Sequence, residues 1–311
     1  MRVVGVMEFG GPEVLKVYDI PERHAGAGEV RVSVRAAAVN PTDTYTRNGA
    51  RADMLKAFPP PYVPGMDIAG VVDEVGEGVT TVRVGDLVMG IVVPSGSHGG
   101  YSESIVLPAG SVTHAPRGTT HAQACTLPMN GLTARLSLDQ LSLSRGDTLA
   151  VTGAAGAYGG YVVQLAKADG LRVIADASEK DENLVRSLGA DIVVRRGPDV
   201  AMRIREHAPN GVDGLADGSV QNDEVVAAVK DGGVIATVRG WKSEIERGIT
   251  LHETWVRDYA QAWDKLDQLR ELAEQGSLSL RVARIFSCDN ASEAHALLQA
   301  GGTRGRFVIE F

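Results

Sequence analysis

The chain has 311 residues, 44% of them hydrophobic and 37 of them glycine, with a formal net charge of −8. That length suits two domains, each with its own core, and a negative charge without any basic block disfavours nucleic acid or an anionic membrane as the main partner. Cys125 and Cys288 are the only cysteines, which excludes a disulfide scaffold or a cysteine-rich zinc site; with no secretory leader and no apolar run of about 20 residues, the expected location is cytoplasmic, away from membranes.

The first third predicts short strands joined by turns. Residues 29–40, EVRVSVRAAAVN, alternate polar and apolar side chains and then turn continuously apolar, as a strand does on passing from a surface into a core. Residues 69–92 hold two or three strands around glycine turns, one of them at Gly85-Asp86, and residues 99–116 continue the pattern. Strands this short and closely spaced predict a small, strongly bent, barrel-like β domain. From about Thr119 the spacing becomes helical, with Thr119 or Thr120 as the N-cap.

Strand and helix then alternate. TLAVTG, LRVIADA, DIVVR, VDGLADG and GVIATVRG read as strands, and AYGGYVVQLAKADG, EKDENLVRSLGA, VAMRIREHAP and NDEVVAAVKDG as the intervening helices. This predicts an α/β protein with a doubly wound parallel sheet and helices on both faces. A further helix, RDYAQAWDKLDQLRELAEQG, precedes a strand–helix–strand tail that completes one domain or the other.

Residues 151–160, VTGAAGAYGG, sit between a buried strand and an amphipathic helix, with Gly153, Gly156 and Gly159 at regular spacing. Small residues there let the backbone come within hydrogen-bond range of a pyrophosphate, where free N–H groups and the helix dipole meet its charge. Ala154, Ala155 and Ala157 keep the approach open, Gly159 permits close packing of helix on sheet, and Tyr158 points away or lies along the cofactor. The competing reading is a tight turn that binds nothing. At the end of the next strand, Asp176 stands where an acid would hold both ribose hydroxyls of NAD and repel a 2′-phosphate. Ser178, Lys180 and the Arg195-Arg196 pair suit a 2′-phosphate instead, so the expected cofactor is NADPH, with NADH as the alternative.

The order of AAAVNPTDTYTRNG, VPGMDIAGVVDEVGEGVTTVRVGDLV, GGYSES, LPMNGLTA, GAAGAYG, SLGAD and GGTRGRFVIEF resembles the zinc-free quinone oxidoreductase (zeta-crystallin-like) branch of the medium-chain dehydrogenase/reductase superfamily. The resemblance covers nearly the whole chain. It implies a GroES-like β-barrel catalytic domain over residues 1–121, completed by 257–311, and a Rossmann domain over 122–256. Zinc-bearing relatives carry a ligand Cys and a Gly-His-Glu segment where this chain has Asn40 and PGMD, which puts Met66 at the histidine position. A catalytic zinc needs about three Cys, His or carboxylate ligands, and no histidine pair here has such spacing, so no metal is expected. His98 caps a turn or faces solvent, Asp67 is a buried turn carboxylate, and Cys125 is a buried helix residue.

By the same resemblance, Asn40, Asp43 and Tyr45 lie beside the nicotinamide. Tyr45 either donates a hydrogen bond or proton to a substrate carbonyl or enolate, or only packs its ring. Asn40 before Pro41 shapes a turn in the plainer reading, and Asp43 pairs with Arg47 or caps the next helix. Thr133 resembles the family threonine that reaches the nicotinamide ribose or phosphate, with an ordinary helix hydroxyl as the other reading, and Asn130 joins it among the cofactor residues. Gly218 ends one strand facing the cofactor, with a plain turn as the competing reading, and the backbone of Val238 and Gly240 ends another, where it is expected to clamp the carboxamide. The implied activity is hydride transfer from a nicotinamide to a small quinone or α,β-unsaturated carbonyl, without zinc. The rivals are a dedicated enoyl thioester reductase and a non-catalytic nucleotide-binding redox sensor. The PPPY stretch (59–62) and residues 48–59 are expected to line the substrate entry, and a homodimer is expected through the sheet edge near GVIATVRGW.

Overall fold

A computed structural model describes all 311 residues, and its contacts divide the chain into two units. The first comprises Met1–Met129, Arg257–Glu274 and Leu280–Phe311; the second comprises Asn130–Val256 and Gln275–Ser279.

In the first unit, β1 (Arg2–Gly5) pairs antiparallel with β2 (Lys16–Asp19). Then come β3 (Glu29–Ala38), α1 (Pro41–Asn48), α2 (Ala52–Leu55), β4 (Asp67–Val75), β5 (Leu87–Ile91), β6 (Ser104–Pro108), β7 (Val112–His114) and α3 (His121–Ala124). Thr120 caps α3, its hydroxyl accepting from the Gln123 N–H. β3 is the spine of this sheet. Val30, Val32 and Val34 are buried on alternate positions and Ala36–Ala38 are all buried, because the second half of the strand is covered on both faces. It pairs antiparallel with β4 throughout, while its other edge takes β6 along Glu29–Ser33 and then the final strand of the chain along Ala36–Ala38. A valine-rich cluster including Val3, Val32, Ile68, Val72, Tyr101 and Ile309 fills the interior.

α4 (Pro128–Leu141) leads into the second unit, followed by β8 (Thr148–Thr152), α5 (Ala157–Ala168), β9 (Arg172–Ala177), α6 (Glu182–Ser187), β10 (Ile192–Arg195), α7 (Val200–His207), β11 (Val212–Asp217), α8 (Asp223–Val226), β12 (Val229–Thr237) and β13 (Thr250–Glu253). The six strands form one sheet in the order β10-β9-β8-β11-β12-β13, every neighbour parallel. Counted from β8 this is 3-2-1-4-5-6, the doubly wound dinucleotide-binding order, with the direction of winding reversing between β8 and β11.

Two local expectations change. NDEVVAAVKDG is helical only over Asp223–Val226; the chain then becomes β12, because parallel pairing of Val212 with Val229 outcompetes helix propensity. The sheet edge near GVIATVRGW is covered by β13, so the exposed edge strand is β13 and not β12. The chain re-enters the first unit through α9 (Trp263–Glu274), β14 (Val282–Ser287), α10 (Ala291–Ala300) and β15 (Arg306–Glu310), the strand that closes on β3. No helix is long and apolar enough to cross a membrane.

Candidate functional site

The glycine loop occupies the reversal point of the second unit's sheet. β8 runs buried up to Thr152, and the chain turns sharply at Gly153, whose φ of +67° is a left-handed conformation that favours glycine. Gly156 is the N-cap of α5 and brings no capping side chain. The N-cap position therefore offers no serine or aspartate oxygen to the first turn of that helix, an arrangement that suits an anion at the helix start. At Gly159 a Cβ would lie 2.4 Å from the Gly153 carbonyl oxygen and 2.9 Å from the Ala154 Cα, so only glycine lets helix and loop approach this closely. The neighbouring strand end is tied in: Thr152 Oγ1 donates to Asp217 Oδ1 (2.6 Å) and the Gly218 N–H donates to the Thr152 carbonyl (3.2 Å). Small residues, a sharp turn and an uncapped helix fit a dinucleotide diphosphate.

The other residues expected at this site fall into three groups. Ala155, Gly156, Ala157, Gly159 and Gly218 meet around the loop. Tyr158 turns inward: its hydroxyl lies 2.8 Å from Ser137 Oγ, and its ring packs on Gly218, so it shapes the loop from behind. Asp176 is 3% exposed and its Oδ1 accepts from the Ala154 N–H at 3.2 Å; burial raises its pKa, while that bond and the Arg196 charge pull it back. The carboxylate thus braces the glycine loop rather than standing free at the strand end.

Beyond it, Ser178 donates to Asp181, Arg195 lies 3.6 Å from Glu179, and Lys180 and Arg196 are exposed. Asn130 and Thr133 are buried on α4. Val238 and Gly240 follow the end of β12, where Arg239 and Gly240 both take left-handed φ values and turn the chain at the carboxyl edge of the sheet.

In the first unit Asn40 and Asp43 form a capping box at the start of α1, and both are buried, at 0% and 1% exposure. Asp43 accepts from the Asn40 N–H (2.8 Å), the Gly65 N–H (3.2 Å) and the Tyr101 hydroxyl (2.8 Å). Burial pushes its pKa up to about 6, against the pull of these donors. Asp43 therefore caps the helix, and the charge partner foreseen for it, Arg47, bonds Gln299 (3.4 Å). Tyr101 in turn lies 3.1 Å from His295 Nε2. Burial drops the His295 pKa to about 3, so the ring is neutral; with Tyr101 donating to Asp43, Nε2 must carry the proton and donate to Tyr101. Tyr45 sits half-buried on the same helix, two residues past Asp43, with the Arg51 guanidinium 5.8 Å from its ring centroid.

Around the position where zinc-bearing relatives hold their metal, Asn40 Nδ2 donates to Asp67 Oδ2 (2.8 Å) and the Met129 N–H donates to Asp67 Oδ1 (2.6 Å). Arg306, buried at 4% exposure, donates to Asn40 Oδ1 (2.6 Å), Asp67 Oδ2 (3.1 Å) and the Val39 carbonyl (3.1 Å). Burial raises the Asp67 pKa and Arg306 opposes the rise. Met66 receives the Thr42 hydroxyl at its sulfur (3.2 Å). The amide, thioether and single carboxylate found here are already committed to Arg306, Thr42 and backbone donors, and no group of three or more His, Cys, Asp or Glu is arranged to hold a metal ion. His98 closes a backbone turn with Ser95, and Cys125 is fully buried with its thiol pKa pushed well up by burial, which disfavours it as a nucleophile.

Sequence reasoning missed Arg306, Tyr101 and His295. An arginine opening the apolar strand RFVIE was a readable signal for a buried counter-charge; the Tyr101–His295 contact, 194 residues apart in sequence, had none.

Residues 26–117 match the alcohol dehydrogenase GroES-like domain family, and residues 188–309 match the zinc-binding dehydrogenase family. The chain is 32% identical to a quinone oxidoreductase of Pseudomonas aeruginosa, across 97% of each protein. With the quinone oxidoreductase of Rattus norvegicus it shares 30% identity over 99% of this chain and 97% of that protein. Among solved structures, the quinone oxidoreductase of Coxiella burnetii superposes with a TM-score of 0.87 at 28% identity, covering 100% of this chain and 99% of that one. A mycobacterial protein solved in complex with NADPH gives 0.87 at 26% identity, with both chains fully covered. With a 3-2-1-4-5-6 parallel sheet in one unit and a GroES-like sheet in the other, the chain is an oxidoreductase belonging to the quinone oxidoreductase branch of the medium-chain dehydrogenase/reductase superfamily.

Proposed function

We propose that this protein is a zinc-independent, NADPH-dependent reductase that passes hydride to a quinone or an α,β-unsaturated carbonyl. The observation that carries the reading is the engagement of Asn40 and Asp67 by the buried Arg306 guanidinium, at the position where related enzymes would ligate zinc. A metal there would have to displace a cation from a fully hydrogen-bonded carboxylate. Without a Lewis acid, the acceptor must already be electron-poor, and quinones and enones meet that condition.

NADPH, when bound, supplies the hydride. The glycine loop and the first turn of α5 hold its diphosphate, and Asp176 keeps that loop in shape through the Ala154 N–H. Lys180, Arg195 and Arg196 supply three cations at the ends of β9 and β10, with Asp176 turned inward, which favours a 2′-phosphate over a free ribose hydroxyl. Tyr45 donates a hydrogen bond from its hydroxyl to the acceptor carbonyl, and Arg51 beside its ring offers positive charge as the oxygen becomes anionic.

A steady-state assay with NADPH and NADH in parallel, against 1,4-quinones and enones, tests this reading. Faster turnover with NADPH is expected, and Tyr45→Phe is expected to lower kcat on the order of a hundredfold. Turnover untouched by Tyr45→Phe removes that residue from the mechanism; oxidation of neither coenzyme against any acceptor refutes the function.

A further inference from the structure

We infer that the face of the first unit around Tyr62 is a shelf for the apolar chain of a lipophilic quinone or enone, continuous with the surface that carries Tyr45. The inference rests on the reductase reading and names the class of substrate within it.

Eleven large apolar side chains are exposed in the protein, and five of them, Met7 (51% exposed), Phe9 (37%), Met54 (65%), Phe58 (43%) and Val93 (48%), belong to segments that meet near Tyr62. Its backbone pairs with Val6, next to Met7, and its ring stacks on Phe9 with centroids 5.3 Å apart and planes 10° off parallel. The Val63 N–H donates to the Gly96 carbonyl (2.8 Å), and Gly96 lies directly under Phe58, where a Cβ would come within 2.8 Å of the Phe58 Cβ. Val93 stands three residues before Gly96 in the same loop, and Met54 belongs to the short helix α2 that leads into Phe58.

The shelf runs on to α1. Gly49, the C-cap of α1, faces the Phe9 ring: a Cβ at that position would lie 3.0 Å from the ring's Cγ. The Arg51 N–H donates to the Tyr45 carbonyl (3.3 Å) while its guanidinium lies over the Tyr45 ring. One end of the apolar strip therefore abuts the residue assigned to the acceptor carbonyl.

The chemistry of the strip selects its occupant. Asp53 and Lys56 pair with each other, exposed Glu8 between Met7 and Phe9 repels an anionic tail, and the remaining cation, Arg51, lies over the Tyr45 ring at the end assigned to the reducible head. Two methionines supply unbranched, polarizable side chains that adapt to a flexible hydrocarbon, and clustered exposed apolar groups signal a surface that a partner covers. An aliphatic or isoprenoid chain attached to a reducible ring satisfies both features. A second copy of the protein is the competing occupant.

Calorimetric titration of the full-length protein with benzoquinones bearing no chain, about four carbons or about ten carbons tests the shelf directly. Full burial of a methylene is worth about fourfold in affinity, so a one-sided shelf is expected to give roughly twofold per carbon over the first few, about sixteenfold by four carbons. The double variant Met54→Ser with Phe58→Ser, and Met54→Ser alone as the milder change at an exposed position, are expected to flatten that dependence relative to their own chainless reference. Affinity independent of chain length in the parent overturns the shelf, as does a dependence that survives in the double variant. Sedimentation showing a parent dimer that the double variant abolishes, with chain dependence intact, assigns the surface to the second copy and overturns it too. Oxidation of NADPH by the chainless quinone is a separate readout: its absence strikes the reductase reading, while chain-dependent binding reads the shelf alone.

Discussion

Replacing Gly159 with alanine inserts one carbon into the closest backbone contact of the proposed nucleotide site. That Cβ would stand 2.4 Å from the Gly153 oxygen, 2.8 Å from the Gly153 carbonyl carbon and 2.9 Å from the Ala154 Cα. Ordinary contact begins near 3.4 Å, so the deficit is about an ångström, and every clashing atom is backbone that no rotamer change can move. α5 must slide away from the loop, carrying its N-terminal amides with it. Overpacking of this kind costs roughly 1–3 kcal/mol, which corresponds to a fall in Tm of a few to about ten degrees. If the displaced amides lose a comparable fraction of their hold on the diphosphate, NADPH affinity drops by about 10- to 100-fold. Gly156→Ala is the control for packing: its φ is −71° and its only close neighbour is the Gly153 oxygen at 3.1 Å, so its Tm is expected to stay near that of the parent. Thermal melting and NADPH titration of both variants read these effects. Parental Tm and affinity in Gly159→Ala would refute the packing on which the diphosphate site is built.

Arg306→Met strands the Asp67 carboxylate in the interior, and about 3–5 kcal/mol of stability is expected to be lost in urea denaturation; the double variant Arg306→Met with Asp67→Asn should recover part of it, and an unshifted midpoint in the single variant would show the pair is dispensable. Asp43 makes stability depend on pH with an unusual sign. Its folded pKa of about 6 lies above the 3.8 of an unperturbed aspartate, so between those values the folded chain holds a proton that the unfolded chain has released. Stability from this group is therefore fully present below about pH 3.8 and declines as pH rises toward 6, by roughly 3 kcal/mol in all. Asp43→Asn is expected to remove that decline, so the stability difference between parent and variant should change between pH 4.5 and pH 7; a difference constant with pH contradicts the assignment.

Patterns local in sequence were readable, and those made by distant partners were not. The switch in β3 from alternating to continuous burial followed directly from its residues, because one half faces a single layer and the other half is covered on both sides. The glycine spacing located the sharp turn between β8 and α5, since Gly153 takes a left-handed φ and Gly159 packs against Gly153 and Ala154, all within ten residues. Asp176 was placed correctly at the end of its strand, but no local signal told that its carboxylate would also accept from the Ala154 N–H, 22 residues earlier. Asn40 and Asp43 were singled out for chemistry, yet their side chains fold back on helix α1, Asp67 and Tyr101. The residues that hold them, Arg306 and Gly65 among others, arrive through strand closure and loop packing that sequence spacing does not encode.

Turnover after exhaustive chelation bears most directly on the account, with NADPH and a 1,4-quinone as substrates and metal content measured on the same sample. Retention of the parental rate at negligible metal content is predicted, because the carboxylate and amide at the would-be metal position are held by Arg306. Loss of activity on chelation that stoichiometric zinc restores would contradict it.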